Sequence, residues 1–333
     1  MFNLSEKEIM ERWSENESIR VSICCITYKQ ELYIAQAIDS FLMQMTTFPF
    51  EIIVGEDCGG DDTLAILAAY QARYPNLIKV IASEKNIGAN SNFLKILNIA
   101  QGDYIAVCEG DDYWIDEQKI QKQYDALLEH GKCNLCFTAA KKLYPDGSVE
   151  NVSIHHKSIF TSSEVIRGGG SFIVTATIMF NKRVLNLLPS WFKTAQIGDY
   201  YLQIVSSLGN GVIYLPDITS IYRCNAINSW SSSRLNLTAS KILGDLQGLI
   251  TNIDRLKEFE ISEADLEFSK AQHEYIAAYE LLINGYDDDF LWLINKSWQR
   301  KKNIGKLQLF LYFLSEYPNL ARLILSLKNK LKN

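Results

Sequence analysis

The sequence predicts an α/β protein: a mostly parallel sheet flanked by helices, followed by a helical C-terminal region. Three observations predict it. Short apolar runs alternate with amphipathic stretches from Val21 to about Leu128, the cadence of βαβ units. Several of these runs stop abruptly in acidic residues, and parallel sheets bind ligands at the carboxyl ends of their strands. From about Leu235 the strand pattern ceases and only helical periodicity remains. The expected organisation is an N-terminal helix over residues 1–18, an α/β domain over 19–234 and a helical region over 235–333.

Met1 to about Glu17 reads as a short amphipathic helix with Ile9 and Trp13 four apart. Val21 to Ile26 is a compact apolar run, the pattern of a strand buried on both faces, ending at Thr27-Tyr28. A helix follows with Ile34, Ala37, Ile38, Phe41 and Leu42 on one stripe. Phe50 to Val54 is the second strand, stopping at Gly55-Glu56-Asp57, and Asp61, Asp62 and Thr63 start the next helix. Lys79 to Ala82 is a third strand, with Asn86-Ile87-Gly88 in the loop behind it and a helix through Phe93, Ile96, Leu97 and Ala100. Tyr104 to Cys108 is the fourth, followed by a helix through Ile120, Gln123, Tyr124, Leu127 and Leu128. Asn134 to Ala139, the Thr/Ile/Val-rich Phe172 to Phe180, and Val212 to Leu215 read as further strands, with a buried helix over Tyr200 to Val205. Leu320, Leu323, Leu327 and Leu331 form an apolar stripe at helical spacing, which reads as core.

The chain of 333 residues has 47% hydrophobic and 22% charged residues, ordinary globular composition. Its net charge of -6 speaks against a nucleic-acid binder. No apolar run reaches the roughly eighteen residues of a spanning helix, and the start is polar rather than signal-like. Six of the seven cysteines fall in or beside apolar runs, usage that fits buried thiols in a reducing cytoplasm. Cys133-x-x-Cys136 lacks a second pair for zinc, and His155-His156 lacks neighbouring ligands. Gly168-Gly169-Gly170 follows a helix rather than preceding one, so it reads as a helix end and not a phosphate cradle.

The chemistry concentrates at Glu109-Gly110-Asp111-Asp112, three carboxylates within four positions at the end of an apolar strand. At that density like charges repel and partly buried acids take up protons, unless a divalent cation shared with a phosphate sits among them.

In its order of segments the chain resembles the family 2 inverting glycosyltransferases of the bacterial capsule and O-antigen type. The segments are Val21–Tyr28, Glu56-Asp57 with Asp62-Thr63, Asn86-Ile87-Gly88, Glu109-Gly110-Asp111-Asp112 and Gly198-Asp199-Tyr200. The resemblance covers roughly Val21 to Trp230 and implies the GT-A nucleotide-diphospho-sugar fold, a Rossmann-like mixed sheet flanked by helices. It implies transfer of a hexosyl or N-acetylhexosaminyl group from a nucleotide-sugar donor, with UDP-sugar the default. The acceptor is a hydroxyl of a glycan or lipid-linked molecule in surface polysaccharide biosynthesis, and the cofactor a divalent cation, Mn2+ or Mg2+. By the same resemblance Thr27, Tyr28, Glu31, Asp57, Asn86, Gly88, Glu109 and Gly110 line the nucleotide site, and Asp111 and Asp112 take the metal. Asp199 is the general base, while Tyr222, Arg223 and Trp230 meet the diphosphate or acceptor, Trp230 from a loop that closes as a lid. Two positions depart from the pattern: Glu109 stands where the first Asp is usual, and Asn225 where a His often follows the Tyr-Arg pair.

Two other functions use similar folds. Sugar-nucleotide nucleotidyltransferases place a glycine-rich basic loop after the first strand, where this chain has Thr27-Tyr28-Lys29-Gln30-Glu31. A non-catalytic glycan-binding or scaffold module has no need of Asp57, Asp111, Asp112 and Asp199 together. The basic C-terminal helices, with Arg300, Lys301, Lys302, Lys306, Arg322, Lys328, Lys330 and Lys332, suit peripheral contact with an anionic membrane at its inner face.

Overall fold

The computed structural model of the chain describes residues 3–14, 17–234 and 237–332, without the side chains of Trp230 and of residues 328–332. Helix α1 covers only Glu6–Met10, shorter than the periodicity suggests. Its capping box is complete, with Ser5 and Glu8 bonding each other's backbone N–H. The chain then turns so that Trp13 packs edge-on against Phe50 and donates from Nε1 to Thr46 at 3.0 Å.

The sheet unit comprises Met1–Ser162, Ser171–Thr194 and Gly198–Ser232. In chain order it runs β1 (Val21–Thr27), α2 (Ile34–Leu42), β2 (Phe50–Glu56), α3 (Thr63–Arg73), β3 (Ile78–Ala82), α4 (Ala89–Leu97) and β4 (Tyr104–Val107). There follow β5 (Tyr113–Trp114), α5 (Lys119–Glu129), β6 (Leu135–Leu143), β7 (Val149–Val152), β8 (Ile159–Phe160) and α6 (Ser162–Gly168), the last passing into the second unit. β9 (Met179–Asn181), α7 (Gly198–Ser207), β10 (Val212–Arg223) and α8 (Trp230–Ser233) complete it. The strands join in the order β3-β2-β1-β4-β9-β6-β10-β5, with β7 on β6 and β8 on β10. β1, β2, β3 and β4 are parallel, as the βαβ cadence demands, and β9 enters antiparallel between β4 and β6. The core lies between the sheet and its helices: Ile23, Cys25, Ile52 and Val54 meet Ile34, Ile38 and Phe41 of α2, all essentially inaccessible. Each such side chain contributes about 1.5–3 kcal/mol by burial.

Two segments differ from the sequence reading. Phe172 to Phe180 is mostly not strand: Thr175–Thr177 forms a 3-10 turn and the strand proper is Met179–Asn181. β-propensity is overridden there by specific partners, since the Ala176 carbonyl accepts from Trp114 Nε1 at 2.8 Å and Ser220 Oγ at 2.9 Å. β10, expected to stop at Leu215, runs on to Arg223 through Pro216 and Asp217. Its register against β6 shifts between Leu215 and Ile218 and again between Ile218 and Ser220, so a bulge absorbs the proline.

The second unit comprises Ser163–Gly170, Ala195–Ile197 and Ser233–Asn333. It carries α9 (Ala239–Arg255), α10 (Glu263–Ile283), α11 (Asp287–Arg300), α12 (Lys306–Phe313) and α13 (Pro318–Lys332). Its own core includes Ile242, Leu246, Ala278, Leu281, Phe290, Leu293 and Leu311. The leucine stripe of α13 is not core. Leu320, Leu323 and Leu327 are 45%, 56% and 52% exposed, because Ala321 and Leu325 on the adjoining face make the packing contacts; the side chain of Leu331 lies outside the described residues. Among the described residues no helix is long and apolar enough to cross a membrane.

Candidate active site

The parallel ladder of β1 and β4 continues past Val107: Cys108 donates to the Cys24 carbonyl at 3.3 Å and Gly110 to that of Ile26 at 3.0 Å. This lays Glu109-Gly110-Asp111-Asp112 along the end of β1. A Cβ on Gly110 would come within 2.5 Å of Gln30 Oε1 and 2.9 Å of Thr27 Oγ1, so only glycine permits the approach. Thr27 Oγ1 and Gln30 Oε1 are themselves buried without hydrogen-bond partners.

Asp111 is 8% exposed and Asp112 1%. Asp112 Oδ1 accepts the Arg223 N–H at 2.9 Å, while its Oδ2 is buried and has no partner. Burial, then the fields of Asp111 and Glu109, pushes Asp112 well above the carboxylate range. Burial raises Asp111 too, against the pull of the Gln30 amide and the Arg223 charge. Glu109 is pushed up to about 8 by burial, then by Asp111, then by Asp199. That last influence means the structure brings Asp199 into the field of the platform.

These acids outnumber their positive partners, and the orphaned Asp112 oxygen fits a cation. Among the described residues no three His, Cys, Asp or Glu side chains converge to hold a metal alone. Divalent cations take about six oxygens, so Asp111 and Asp112 would supply only part of the ligand set of such an ion.

Asp199 sits in the first turn of α7, whose residues from Tyr200 to Ser207 are buried. Its Oδ2 accepts the Thr175 hydroxyl at 2.7 Å and its Oδ1 the Tyr200 N–H at 2.9 Å. Burial raises its pKa despite these bonds.

The other expected residues are placed as follows. Asp57, 3% exposed, accepts the backbone N–H groups of Ile87 and Gly88, each at 2.9 Å, and so shapes the loop holding Asn86 and Gly88. Asn86 Oδ1 also accepts from Gly88, whose φ of 85° requires glycine. Tyr28 is half-buried, with the Lys29 ammonium 5.3 Å from its ring. Glu31 reaches away from β1 to accept the Asp62 N–H at 2.9 Å, at the start of α3. Arg223 is held by its partners: the guanidinium donates to the Asp111 carbonyl and to Gln36, between the rings of Tyr33 and Tyr113. Tyr222 is half-buried, and burial raises its hydroxyl, against a hydrogen bond with Ser231. Asn225, at φ 54°, donates its N–H to Ser231 Oγ at 2.9 Å. The loop beyond it leans on the end of β1, with Ile227 N–H on the Tyr33 hydroxyl and Asn228 on the Lys29 carbonyl, both 3.2 Å. Between them is a pocket of about 260 Å³ lined by Lys29, Glu31, Tyr33, Gly59, Asp61 and Asn228. The side chain of Trp230 lies outside the described residues.

Residues 22–188, half of the chain, match the family model for glycosyl transferase family 2. The chain belongs to that family. The GT-A fold follows from the same match and from solved structures. S. aureus TarS 1-349 in complex with UDP aligns at a TM-score of 0.61 and 17% identity, over 91% of this chain and 88% of that one. The Pyrobaculum calidifontis mannosyltransferase PcManGT with GDP-Man and Mn2+ aligns at 0.54 and 13%, over 95% and 89%. Among curated proteins, this family 2 chain is 33% identical to an uncharacterized protein of Mycobacterium tuberculosis (strain H37Rv) over 64% of its own length. The match spans 61% of that relative. It is 30% identical to the putative teichuronic acid biosynthesis glycosyltransferase TuaG of Bacillus subtilis, over 49% of this chain and 62% of that one.

Sequence reasoning on this family 2 chain missed Gln30, Gln36, Tyr33, Tyr113 and Thr175. None carries a local signal, because each matters through a partner distant in sequence, such as Thr175 with Asp199.

Proposed function

We propose that this chain transfers a hexosyl or N-acetylhexosaminyl group, with inversion, from a nucleotide-diphospho-sugar to a hydroxyl of a glycan or lipid-linked acceptor in surface polysaccharide assembly. The observation that supports the reading is the run of acids at the end of β4, Glu109, Asp111 and Asp112, laid along β1 with the Asp112 Oδ2 buried and unpartnered and with Asp199 acting electrostatically on Glu109. Asp111 and Asp112 would hold a divalent cation, Mn2+ or Mg2+, and that ion, when bound, neutralises the charge gained by the leaving diphosphate. Asp199, more basic for its burial and held by Thr175, takes the proton of the attacking acceptor hydroxyl. Glu109, Gly110, Thr27, Tyr28, Asp57, Asn86 and Gly88 bound the nucleotide site in the segments that follow β1, β2, β3 and β4. Arg223, tied to the platform through Asp111 and Asp112, and Tyr222 beside it in sequence would meet the diphosphate or acceptor. A UDP-sugar is the preferred donor, a choice supported by the UDP and UDP-GlcNAc complexes of TarS.

The free, mostly buried thiols fit a cytoplasmic enzyme. The exposed Leu320, Leu323, Ile324 and Leu327 of α13, in a segment with eight Lys and Arg and one acid between Arg300 and Asn333, suit docking on an anionic lipid surface.

A panel of nucleotide sugars with Mn2+ or Mg2+ tests the function. Cation-dependent release of a nucleoside diphosphate supports it; pyrophosphate release, or silence with every donor and acceptor, overturns it.

A further inference from the structure

We propose that Thr175 is a positioning residue for Asp199, and that the turn carrying it ties the base to the acid platform as one strut. The inference rests on the reading of Asp199 as general base.

The carboxylate of Asp199 has one bond from within its own helix, the Tyr200 N–H on Oδ1. Among the described residues, the bond from outside α7 is the Thr175 hydroxyl on Oδ2 at 2.7 Å. It is therefore Thr175 that fixes how the carboxylate is turned relative to the sheet. The turn is itself locked. The Thr177 N–H and hydroxyl both donate to the Val174 carbonyl, at 2.9 and 2.6 Å, and the Thr177 carbonyl accepts from Gln123 Nε2 at 2.8 Å.

The middle residue makes the link. Its carbonyl, on Ala176, accepts both the indole N–H of Trp114 and the hydroxyl of Ser220. Trp114 follows Asp112 by two positions, and Ser220 precedes Arg223, the residue whose N–H grips Asp112, by three. A path of hydrogen bonds and short stretches of backbone thus runs from Asp199 to both flanks of the acid pair, through residues that are almost wholly buried at Ala176, Trp114 and Ser220. General-base catalysis needs the proton acceptor within hydrogen-bond reach of a hydroxyl lined up with the donor, and a misplacement of about 1 Å costs on the order of 100-fold in rate. The strut sets that spacing. Its hydroxyl also favours the charged form of Asp199, opposing burial.

The test uses the full chain with Thr175→Val, which keeps the shape and removes the donor, and Thr175→Ser, which restores it. Thr175→Ala guards against a folding failure of the valine variant. Two readouts are taken: kcat and donor KM across pH with whichever donor the panel finds active, and the 13C titration of the Asp199 carboxyl, assigned by difference from Asp199→Asn. The titration needs no donor. The expected result for Thr175→Val is a kcat lower by on the order of 10- to 100-fold with donor KM within roughly two-fold. The acid limb of the kcat profile and the Asp199 midpoint both move to higher pH, and serine brings both back. A rate loss with the limb and the midpoint unmoved overturns the positioning role. If Asp199→Asn keeps its activity, the base reading fails by itself, and the carboxyl titration still decides whether Thr175 holds Asp199.

Discussion

The helical unit and the acid platform of the sheet unit treat buried carboxylates in opposite ways. In the helical unit Glu274 is fully buried, and Arg300 grips it through Nε at 2.9 Å and Nη2 at 3.0 Å while Nη1 reaches Glu267 at 2.6 Å. Lys270 joins Asp254 and Glu267, and Arg234 bridges Asp245 and Glu280. Asp265 is held below the usual carboxylate range: burial works against it, but hydrogen bonds from Ser262, Ser163 and Arg167 win. In the sheet unit all four acids of the site move the other way, and the nearest guanidinium spends itself on a carbonyl and on Gln36. The acids of the helical unit's ion-pair network are matched by cations. The platform acids are left short of positive charge, which costs stability unless a bound cation supplies it.

Substitutions in the two places should therefore part company. Asp199→Asn should lower kcat by on the order of 100- to 10,000-fold while calorimetry finds donor affinity nearly unchanged; an equal loss of donor affinity removes Asp199 from the base role. Glu274→Gln should destabilise the fold by about 3–5 kcal/mol in urea titration, because it leaves Arg300 short of its buried counter-charge. Asp112→Asn should do the reverse, keeping the bond from Arg223 N–H and relieving repulsion, so that stability holds or rises by about 1 kcal/mol while dependence of activity on the divalent cation is lost. A marked fall in stability there would place Asp112 with the structural acids.

A smaller effect separates a buried cation whose hydrogen bond goes to an amide, Gln123, and not to an acid. Lys119 lies inaccessible, 4.4 Å from the Trp114 ring centre and bonded to Gln123, and burial lowers its pKa to about 7. Between that value and the ordinary lysine range the unfolded chain holds one more proton, so stability should rise with pH from about 7 upward. Below it the folded state carries a buried charge. Lys119→Met should flatten this slope and raise Tm at pH 6 by on the order of a few degrees, more than at pH 9, in calorimetric scans. The smallest effect concerns α13: Leu323→Gln with Leu327→Gln should leave turnover of a soluble acceptor unchanged and weaken sedimentation with phosphatidylglycerol vesicles several-fold.

The sheet and the acid cluster were legible because their signals are local. An apolar run that ends in Glu109, Asp111 and Asp112 looks anomalous in the sequence and is anomalous in the structure, where Asp112 Oδ2 has no partner. What could not be read depends on partners far along the chain. Phe172 to Phe180 has strand composition, yet Asp199, Trp114 and Ser220 draw its middle into a turn. Pro216-Asp217 reads as the end of a strand, and a bulge carries β10 past it. The leucines of α13 have core periodicity, but which face of a helix meets the bundle is decided by the bundle, and it chose Ala321.

That bulge also sets a phase. Side chains on a strand alternate, so the number of residues between Leu215 and Ser220 decides which of Tyr222 and Arg223 turns toward Tyr33 and Tyr113. Removing one residue there would leave the ladder with β6 to re-form one step out, exchanging phenol and guanidinium between the two faces. Length at this point, more than identity, encodes which charge the platform meets.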